Sequence, residues 1–256
     1  MVSKTLPNSQ PRTWPLPILI GCAGWSLRKE SAAEFAAEGT HLQRYTSRFS
    51  AVEINSSFYR PHRRVTYEKW SASVPAEFRF SVKVPKSITH EQRLVGTSDL
   101  LARFANEVSG LGPKLGCLLV QLPPSLAFDE QIAADFFSLL KSGIENLPVA
   151  CEPRHPTWFT STAQELLLRH RIARVIADPP PVPAAALPGG CQDIVYYRLH
   201  GSPRMYYSAY DQAYLATLAT TLKQHSLAGR QAWCIFDNTA LGAATLNALA
   251  LLNQLQ

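Results

Sequence analysis

The chain has 256 residues, of which 46% are hydrophobic, 17% charged and 10% aromatic. This balance is typical of a globular protein and excludes disordered, collagen-like and coiled-coil classes. The 25 Lys and Arg residues exceed the 19 Asp and Glu residues, giving a net charge of +6 with no block of like charges. So modest a basic excess fits either attraction to phosphates or a solvated basic surface, and it does not choose between them.

The cysteines and the N-terminal sequence predict a cytoplasmic protein. The five cysteines are widely spaced, odd in number and without a CxxC pair, so free thiols are expected. Residues 1–16 are rich in proline and polar residues and lack the apolar stretch of an export signal. We therefore expect a flexible tail over 1–16 and one domain over 17–256. Because no run reaches about 18 apolar residues, no membrane association is expected.

Short apolar runs rich in β-branched and aromatic residues recur along the chain, and most of them are followed by a turn and a helical segment. Eight runs are predicted as strands: Pro17–Ala23, Ser50–Asn55, Phe78–Val84, Leu115–Gln121, Pro148–Glu152, Ile172–Asp178, Ile194–His200 and Ala232–Asn238. Strands that alternate with helices indicate a parallel sheet. Eight of them in about 250 residues favour a single (β/α)8 TIM barrel, with a doubly wound open sheet as the alternative.

The predicted helices follow the same alternation, with one exception. They are Leu42–Phe49, Arg64–Ser73, Ser98–Ser109, Glu130–Ser142, Ala163–His170, Gln212–His225 and Ala243–Leu252. After the sixth strand, five prolines between positions 179 and 188 exclude a regular helix. The sixth helix of the barrel is therefore expected to be lost or irregular.

Polar residues cluster at the predicted carboxyl ends of the strands. Successive side chains of a strand alternate between its two faces, so Glu53 and Asn55 share one face, as do Arg198 and His200. The predicted ring contains Glu53, Asn55, Lys83, Gln121, Glu152, Arg154, Asp178, Arg198, His200 and Asn238, and the loops that follow add Trp25, Tyr59, His90, His155 and Trp158. Active sites of TIM barrels lie at this end of the strands.

These residue types predict an enzyme that acts on a small anionic or phosphorylated substrate. Glu53, Glu152 and His200 are the candidate catalytic residues because carboxylates and imidazoles transfer protons. The other ring and loop residues are candidate substrate-binding residues, and the Lys and Arg side chains among them suit a phosphate or carboxylate. Hydrolase, lyase and isomerase chemistry all remain open.

Several alternatives stay open beside this hypothesis. The ring is also consistent with an ion-pair network in which Glu53, Glu152 and Asp178 balance three cations. The basic charge and the aromatic residues suit a nucleic-acid partner, and a barrel that binds a partner without catalysis is a third possibility. Suitable metal ligands such as His90 lack diagnostic spacing, so a divalent metal is unsupported and no cofactor is predicted.

Ordered motifs along the chain match a known family. They are Ile20-Gly21-Cys22-Ala23-Gly24-Trp25, Val52-Glu53-Ile54-Asn55-Ser56-Ser57-Phe58-Tyr59-Arg60, Phe80-Ser81-Val82-Lys83-Val84-Pro85, Ile88-Thr89-His90, Gln121-Leu122-Pro123-Pro124-Ser125, Glu152-Pro153-Arg154-His155, Arg198-Leu199-His200-Gly201 and Phe236-Asp237-Asn238-Thr239. From about Ile18 to Leu252 the chain resembles the DUF72 or YecE-like family of uncharacterised proteins. The resemblance implies a TIM barrel and no established reaction. It departs from the family at Pro153, where Phe or Tyr is usual, and in a short segment after Trp25.

Overall fold

The computed structural model describes residues 16–144 and 146–256. Residues 1–15 of the expected tail lie outside the described residues, and the Leu16 carbonyl accepts a hydrogen bond from the Ser226 hydroxyl. All five cysteines are free thiols, as expected. None of the described helices is long and apolar enough to cross a bilayer.

The strands close into a barrel. They are β1 Ile18–Cys22, β2 Ala51–Ile54, β3 Arg79–Lys83, β4 Leu115–Gln121, β5 Val149–Glu152, β6 Ile172–Arg174, β7 Ile176–Asp178, β8 Gly189–Gly190, β9 Ile194–Leu199 and β10 Gln231–Phe236. Two ladders run in the orders β2-β3-β4-β5-β6 and β1-β10-β9-β7. They join because β6 continues into β7 after Val175 and because Ala23 bridges to Glu53 beyond β1. The predicted TIM barrel is confirmed, and an open sheet is excluded.

The helices cover the outside of the barrel. They are α1 His41–Tyr45, α2 Ser56–Tyr59, α3 Arg64–Ala72, α4 Ser98–Val108, α5 Glu130–Gly143, α6 Ser161–Arg169, α7 Gln212–Leu227 and α8 Ala243–Leu255. All seven predicted helices are present, although α1 ends at Tyr45 rather than Phe49. The one-turn helix α2 was not predicted, because a segment so short carries no periodicity.

A proline-rich segment takes the place of the sixth helix, as expected. Between β7 and β9 the described chain has only a 3-10 turn at Pro183–Ala186 and the short strand β8, which pairs antiparallel with β6. Arg174 holds this segment by donating to the Ala184 carbonyl at 3.2 Å. The guanidinium also lies against Gly189, where an added Cβ would be 2.4 Å from Arg174 Cζ.

Two hydrophobic cores lie on opposite faces of the strands. The outer core packs the strands against the helices, and the inner core fills the barrel with Leu19, Ala51, Cys117, Leu119, Ala150, Ala173, Val175, Ile194, Tyr196, Trp233 and Ile235. These inner residues alternate along each strand with outward-facing ones. The alternation therefore identifies which residues at the carboxyl ends point into the barrel.

Side-chain hydroxyls complete the seam between β1 and β2. The Tyr45 hydroxyl accepts from the Cys22 backbone N–H at 2.7 Å and donates to the Ala51 carbonyl at 3.0 Å. The Ser50 hydroxyl accepts from the Ile20 N–H at 3.0 Å. Gly21 is required here because a Cβ would lie 1.9 Å from the Ala51 oxygen. The barrel thus closes through a buried tyrosine where the backbone ladder is incomplete.

Replacing Tyr45 with phenylalanine is expected to destabilise the barrel by about 1–3 kcal/mol, because a buried N–H and a buried carbonyl both lose their partner. Urea unfolding followed by circular dichroism measures the change in midpoint. The matched control is Tyr207→Phe, which alters a partly exposed ring. Equal midpoints for the two variants would show that the Tyr45 hydroxyl does not support the seam.

Candidate functional site

The carboxyl end of the barrel holds a buried cluster of charged side chains. Alternation continues the inner face of each strand to Glu53 on β2, Lys83 on β3, Glu152 on β5 and Arg198 on β9. His200 and Asp237 extend the same inner faces just beyond β9 and β10. We refer to Glu53, Glu152, Arg198, His200 and Asp237 as the buried ion cluster. It lies directly above the apolar inner core.

Arg198 is the centre of the buried ion cluster, and its side chain is 0% exposed. Its Nε and Nη2 donate to Glu53 Oε2 and Oε1 at 3.0 and 2.7 Å. Nη1 donates to Glu152 Oε2 at 2.6 Å, and Nη2 also donates to Asp237 Oδ2 at 3.0 Å. One guanidinium therefore binds three carboxylates from three strands.

His200 lies between two of these carboxylates. Its Nε2 is 2.9 Å from Glu152 Oε1, and its Nδ1 is 3.0 Å from Asp237 Oδ2. Because both ring nitrogens face carboxylate acceptors, the surroundings favour the imidazolium form, in which both nitrogens donate. Burial alone would lower the pKa of His200, but Glu152 and Asp237 raise it above its ordinary value.

Glu152 and Asp237 are held as anions by the same contacts. Burial alone would raise the pKa of Glu152, but the charges of Arg198 and His200 hold it well below its ordinary value. The pKa of Asp237 is likewise lowered, because Arg198 and His200 outweigh the effect of burial. The carboxylates are therefore ionised at neutral pH.

A hydroxyl chain supports the third carboxylate from below. Tyr196 Oη is 3.0 Å from Glu53 Oε2 and 2.8 Å from Ser81 Oγ, so Ser81 can donate to Tyr196 while Tyr196 donates to Glu53. Tyr196 also stacks on Trp233 of the inner core. Glu53 is therefore fixed by Arg198 on one side and Tyr196 on the other.

Lys83 lies at the edge of the cluster without joining it. Its side chain is buried, yet within the described ranges its amine forms no ion pair or hydrogen bond. The Nζ atom lies 3.9 Å from the centre of the Phe58 ring. Burial and the charge of Arg198 lower the pKa of Lys83 to about 8, against the opposite effect of the nearby carboxylates.

Arg154 borders the cluster on the solvent side. It donates to Glu152 Oε1 at 3.3 Å. Burial alone would lower the pKa of Arg154, but Glu152 and the Tyr206 hydroxyl raise it. A cavity of about 110 Å³ opens here, lined by Glu152, Arg154, Ala177, Pro179, Pro180, Pro181, His200 and Met205. The cluster is therefore reached from solvent beside Arg154.

Two further predicted residues lie at this rim. His90 packs edge-on against Phe58, with ring centres 4.9 Å apart, and its Nδ1 is 2.9 Å from the Thr89 hydroxyl. Burial lowers the pKa of His90, and the charges of Lys83 and Arg154 lower it further. Gln121, on the inner face of β4, is buried and makes no side-chain hydrogen bond to any described residue.

The predicted place of Asp178 in the ring is wrong. The residue was selected because it ends its strand, but alternation puts Ala177 inside the barrel and Asp178 on the outer face with Ile176. The Asp178 carboxylate accepts a hydrogen bond from the Tyr210 hydroxyl at 2.8 Å. It therefore anchors the loop after β9 instead of facing the cavity.

Asn238 is wrongly placed for the same reason. It shares the outward face of its strand with Phe236, whereas Asp237 points inward. The Asn238 amide donates to the Ser208 carbonyl at 2.8 Å and to Asn247 Oδ1 at 2.9 Å. Its contacts are structural, and Asp237 takes its place in the cluster.

The structure does not bring the five remaining candidates to the cluster. Trp158 is buried beneath the loops, where it donates to the Leu126 carbonyl at 3.0 Å, and His155 contacts the Thr157 hydroxyl. Trp25 packs on Trp70, and Asn55 borders a separate surface cavity together with Trp25. Tyr59 is 68% exposed. Sequence position at a strand end or in a loop did not reveal these orientations.

Four contributors were missed by the sequence analysis. Alternation from Trp233 and Ile235 selects Asp237, and alternation from Arg198 selects Tyr196, so both carried a usable signal. Phe58 and Tyr206 lie in a one-turn helix and a loop, where no periodicity predicts side-chain direction. Over residues 16–144 and 146–256, no group of three His, Cys, Asp or Glu residues is arranged to hold a metal ion.

Replacing Glu152 with glutamine is expected to destabilise the protein at pH 7 by about 3–5 kcal/mol, because the Arg198 and His200 charges lose a buried partner. Since the pKa of Glu152 is lowered on folding, its stabilisation is present above the ordinary value of 4.5 and is lost as the pH falls below it. Urea unfolding of both proteins across a pH series measures this difference.

The control for this prediction is Glu68→Gln, which removes an exposed ion pair with Arg64. We expect it to change stability by less than about 0.5 kcal/mol. If Glu152→Gln behaves like Glu68→Gln at pH 7, or if its deficit does not shrink in acid, the buried ion cluster does not stabilise the barrel.

Comparison with known proteins places the chain in a family. The family model described as "Protein of unknown function DUF72" matches residues 19–256. The UPF0759 protein YecE of Escherichia coli is 32% identical over 151 residues, which is 57% of this chain and 55% of YecE. The chain thus spans about half the length of the curated relatives that it matches.

Solved structures extend the similarity over nearly the whole fold. A DUF72 family protein from Thermotoga maritima is 23% identical with a TM-score of 0.77, covering 93% of this chain and 98% of that one. Another, from Enterococcus faecalis, is 21% identical with a TM-score of 0.78, covering 93% of this chain and 95% of that one. The strand-end motifs and the family model together show that the chain belongs to the DUF72 family of proteins of unknown function.

Proposed function

We propose that this protein is an enzyme that acts on a small anionic or phosphorylated substrate at the carboxyl-terminal mouth of the barrel. The observation that carries the proposal is the pair of cations, Lys83 and Arg154, at the edge of the buried ion cluster, where together they leave one positive charge in excess. Lys83 has no ion-pair partner among the described residues, and Arg154 has one, Glu152, at 3.3 Å, beside its contact with the Tyr206 hydroxyl.

The charges of the buried ion cluster support a binding role for Lys83 and Arg154. Inside it, three carboxylates face two cations, which leaves a net charge of −1 that Arg154 offsets through its contact with Glu152. Once Lys83 and Arg154 are counted, four cations face three carboxylates and one positive charge is in excess. Lys83 and Arg154 then bring positive charge to the solvent side. A substrate whose carboxylate or phosphate binds Arg154 and whose neighbouring oxygen accepts from Lys83 would form charge-assisted hydrogen bonds with both cations in a partly desolvated site.

Proton transfer would pass through Glu152 and His200. Both line the small cavity beside Arg154, and they contact each other at 2.9 Å. Glu53 is bound on both oxygens by Arg198 and contacts Tyr196, so we assign it to positioning. This arrangement is compatible with hydrolase, lyase or isomerase chemistry, each of which uses a positioned acid and base.

The alternative of a nucleic-acid partner loses part of its support. Trp158 is buried and Trp25 packs on Trp70, so of the three aromatic residues that suggested base stacking only Tyr59 is freely exposed. Stacking on several exposed rings is the usual basis of single-strand binding. A small anion fits the confined cavity better.

Ligand binding tests the proposed substrate class. Calorimetric titration with inorganic phosphate, glycerol phosphate and short dicarboxylates should detect binding that neutral glycerol does not show. Lys83→Met and Arg154→Gln are each expected to weaken it about 10- to 100-fold, the effect of losing one charge-assisted hydrogen bond. Lys69→Met, at an exposed position of α3, is the control and should bind as the wild type does.

Two results would contradict the proposal. Equal affinity for anions in Lys83→Met and Lys69→Met would show that anions do not bind at Lys83. Salt-dependent oligonucleotide binding without binding of small anions would favour the nucleic-acid alternative. For any anion that binds, NMR of the ligand follows turnover. Loss of turnover with retained binding in His200→Gln supports catalysis, and the absence of turnover in the wild type indicates a binding protein.

A further inference from the structure

The surroundings of Lys83 are those of a buried amine rather than a paired ammonium. Lys83 is 5% exposed, and its Nζ atom lies 3.9 Å from the centre of the Phe58 ring. Arg198, a permanent cation, lies on the side of the buried ion cluster and disfavours a second positive charge. Desolvation and a neighbouring cation both favour the neutral amine.

The Phe58 ring is held over Lys83 because the preceding residue, Ser57, contacts the backbone of β2 and β3. The Ser57 hydroxyl lies 2.7 Å from the Lys83 carbonyl oxygen and 2.9 Å from the Ile54 carbonyl oxygen. This contact ties the start of α2 to the end of β3. Phe58 is therefore fixed next to Lys83 and covers one side of its amine.

We propose that Lys83 is a nucleophilic residue that forms an imine with a carbonyl group of the substrate. The substrate class is then a small aldehyde or ketone that carries a carboxylate or phosphate, with the anionic group bound by Arg154. This inference rests on the proposed function, because it places the reaction at the same rim. Neutral lysines that are desolvated beside another cation are suited to this chemistry.

The reaction balances without a co-reactant. The ammonium form of Lys83 has three protons, and one must leave before the nitrogen lone pair attacks the carbonyl carbon. The C–O π electrons move to oxygen, which collects two protons in all and leaves as water when the C=N bond forms. One proton stays on the iminium nitrogen, so the charge is unchanged and nothing is oxidised or reduced.

We assign His90 as the group that takes up and returns the proton that Lys83 must release. Its ring contacts the same Phe58 ring as the Lys83 amine, and burial, Lys83 and Arg154 lower its pKa, so it is neutral and able to accept. His200 does not accept this proton because both of its nitrogens already face carboxylates, and its part in proton transfer is to donate a proton later in the reaction. The charged groups that act on Lys83 are Arg198, Glu53, Glu152 and Asp237, and Lys83 in turn acts on His90.

Reductive trapping tests the proposal on the whole chain. The protein is incubated at pH 7 with glyoxylate, a small anionic aldehyde, and sodium cyanoborohydride, and labelled lysines are identified by peptide mass spectrometry. We expect Lys83 to be labelled at least about tenfold faster than Lys69, since its pKa of about 8 leaves far more neutral amine than an ordinary lysine has. Labelling should increase with pH up to about 8 and then level off.

Two variants separate this inference from the proposed function. Lys83→Arg cannot form an imine, so it should lose labelling at this position, while phosphate binding by the wild type and Lys83→Met tests the proposed function separately. His90→Phe should slow labelling of Lys83 without abolishing anion binding. Circular dichroism confirms that each variant is folded, and the wild-type comparison of Lys83 with Lys69 needs no variant at all.

The outcomes are distinct. If glyoxylate labels the exposed Lys69 and does not label the buried Lys83, the imine proposal is overturned. If anions still bind the wild type in a manner that depends on Lys83, the proposed function survives that result. Labelling of Lys83 by neutral acetaldehyde as fast as by glyoxylate would retain the nucleophile but exclude an anionic substrate.

Discussion

The contact of Arg198 with three carboxylates is the constraint on which the site depends. Glu53 and Glu152 belong to the ladder that begins with β2, whereas Arg198 and Asp237 belong to the ladder that begins with β1. Outside this cluster, the two ladders are joined by the seam at Ala23 and by the continuation of β6 into β7. The guanidinium therefore crosses the barrel and fixes the two halves of its mouth relative to each other.

Such a cluster is stable only as a complete set. Desolvation of each buried charge is costly, and the gain from pairing depends on every partner being present. The hydrogen bonds around Arg198 and His200 satisfy that condition, and the Tyr196 hydroxyl donates a further hydrogen bond to Glu53. The sequence left an ion-pair network open as an alternative, and the structure contains one that differs in its members. Glu53, Glu152 and Arg198 belong to it as proposed, whereas Asp237 and His200 take part and Asp178 and Lys83 do not. This network forms the buried part of the site, and Lys83 and Arg154 lie at its edge.

The sequence predicted the fold more fully than the site, for a physical reason. Apolar runs and proline positions determine strands and the missing helix directly, so the eight strands and the break after β7 were found. Alternation then selected Glu53, Glu152 and Arg198, and it would have selected Asp237 if it had been applied to β10 in place of strand-end position. Loop residues such as Trp158 follow no period. The burial of the Trp158 ring and its hydrogen bond to the Leu126 carbonyl therefore could not be predicted.

Anion binding and nucleophilic reactivity make opposite demands on Lys83. An anion placed directly on its amine would favour the ammonium form and suppress attack on a carbonyl carbon. The geometry resolves the conflict by providing two cations. Arg154 stays charged at any physiological pH and lies at the open cavity, whereas Lys83 lies deeper, beneath Phe58. A ligand whose anionic group rests on Arg154 and whose carbonyl reaches Lys83 leaves the amine free to lose its proton, which is why the two cations are assigned different roles.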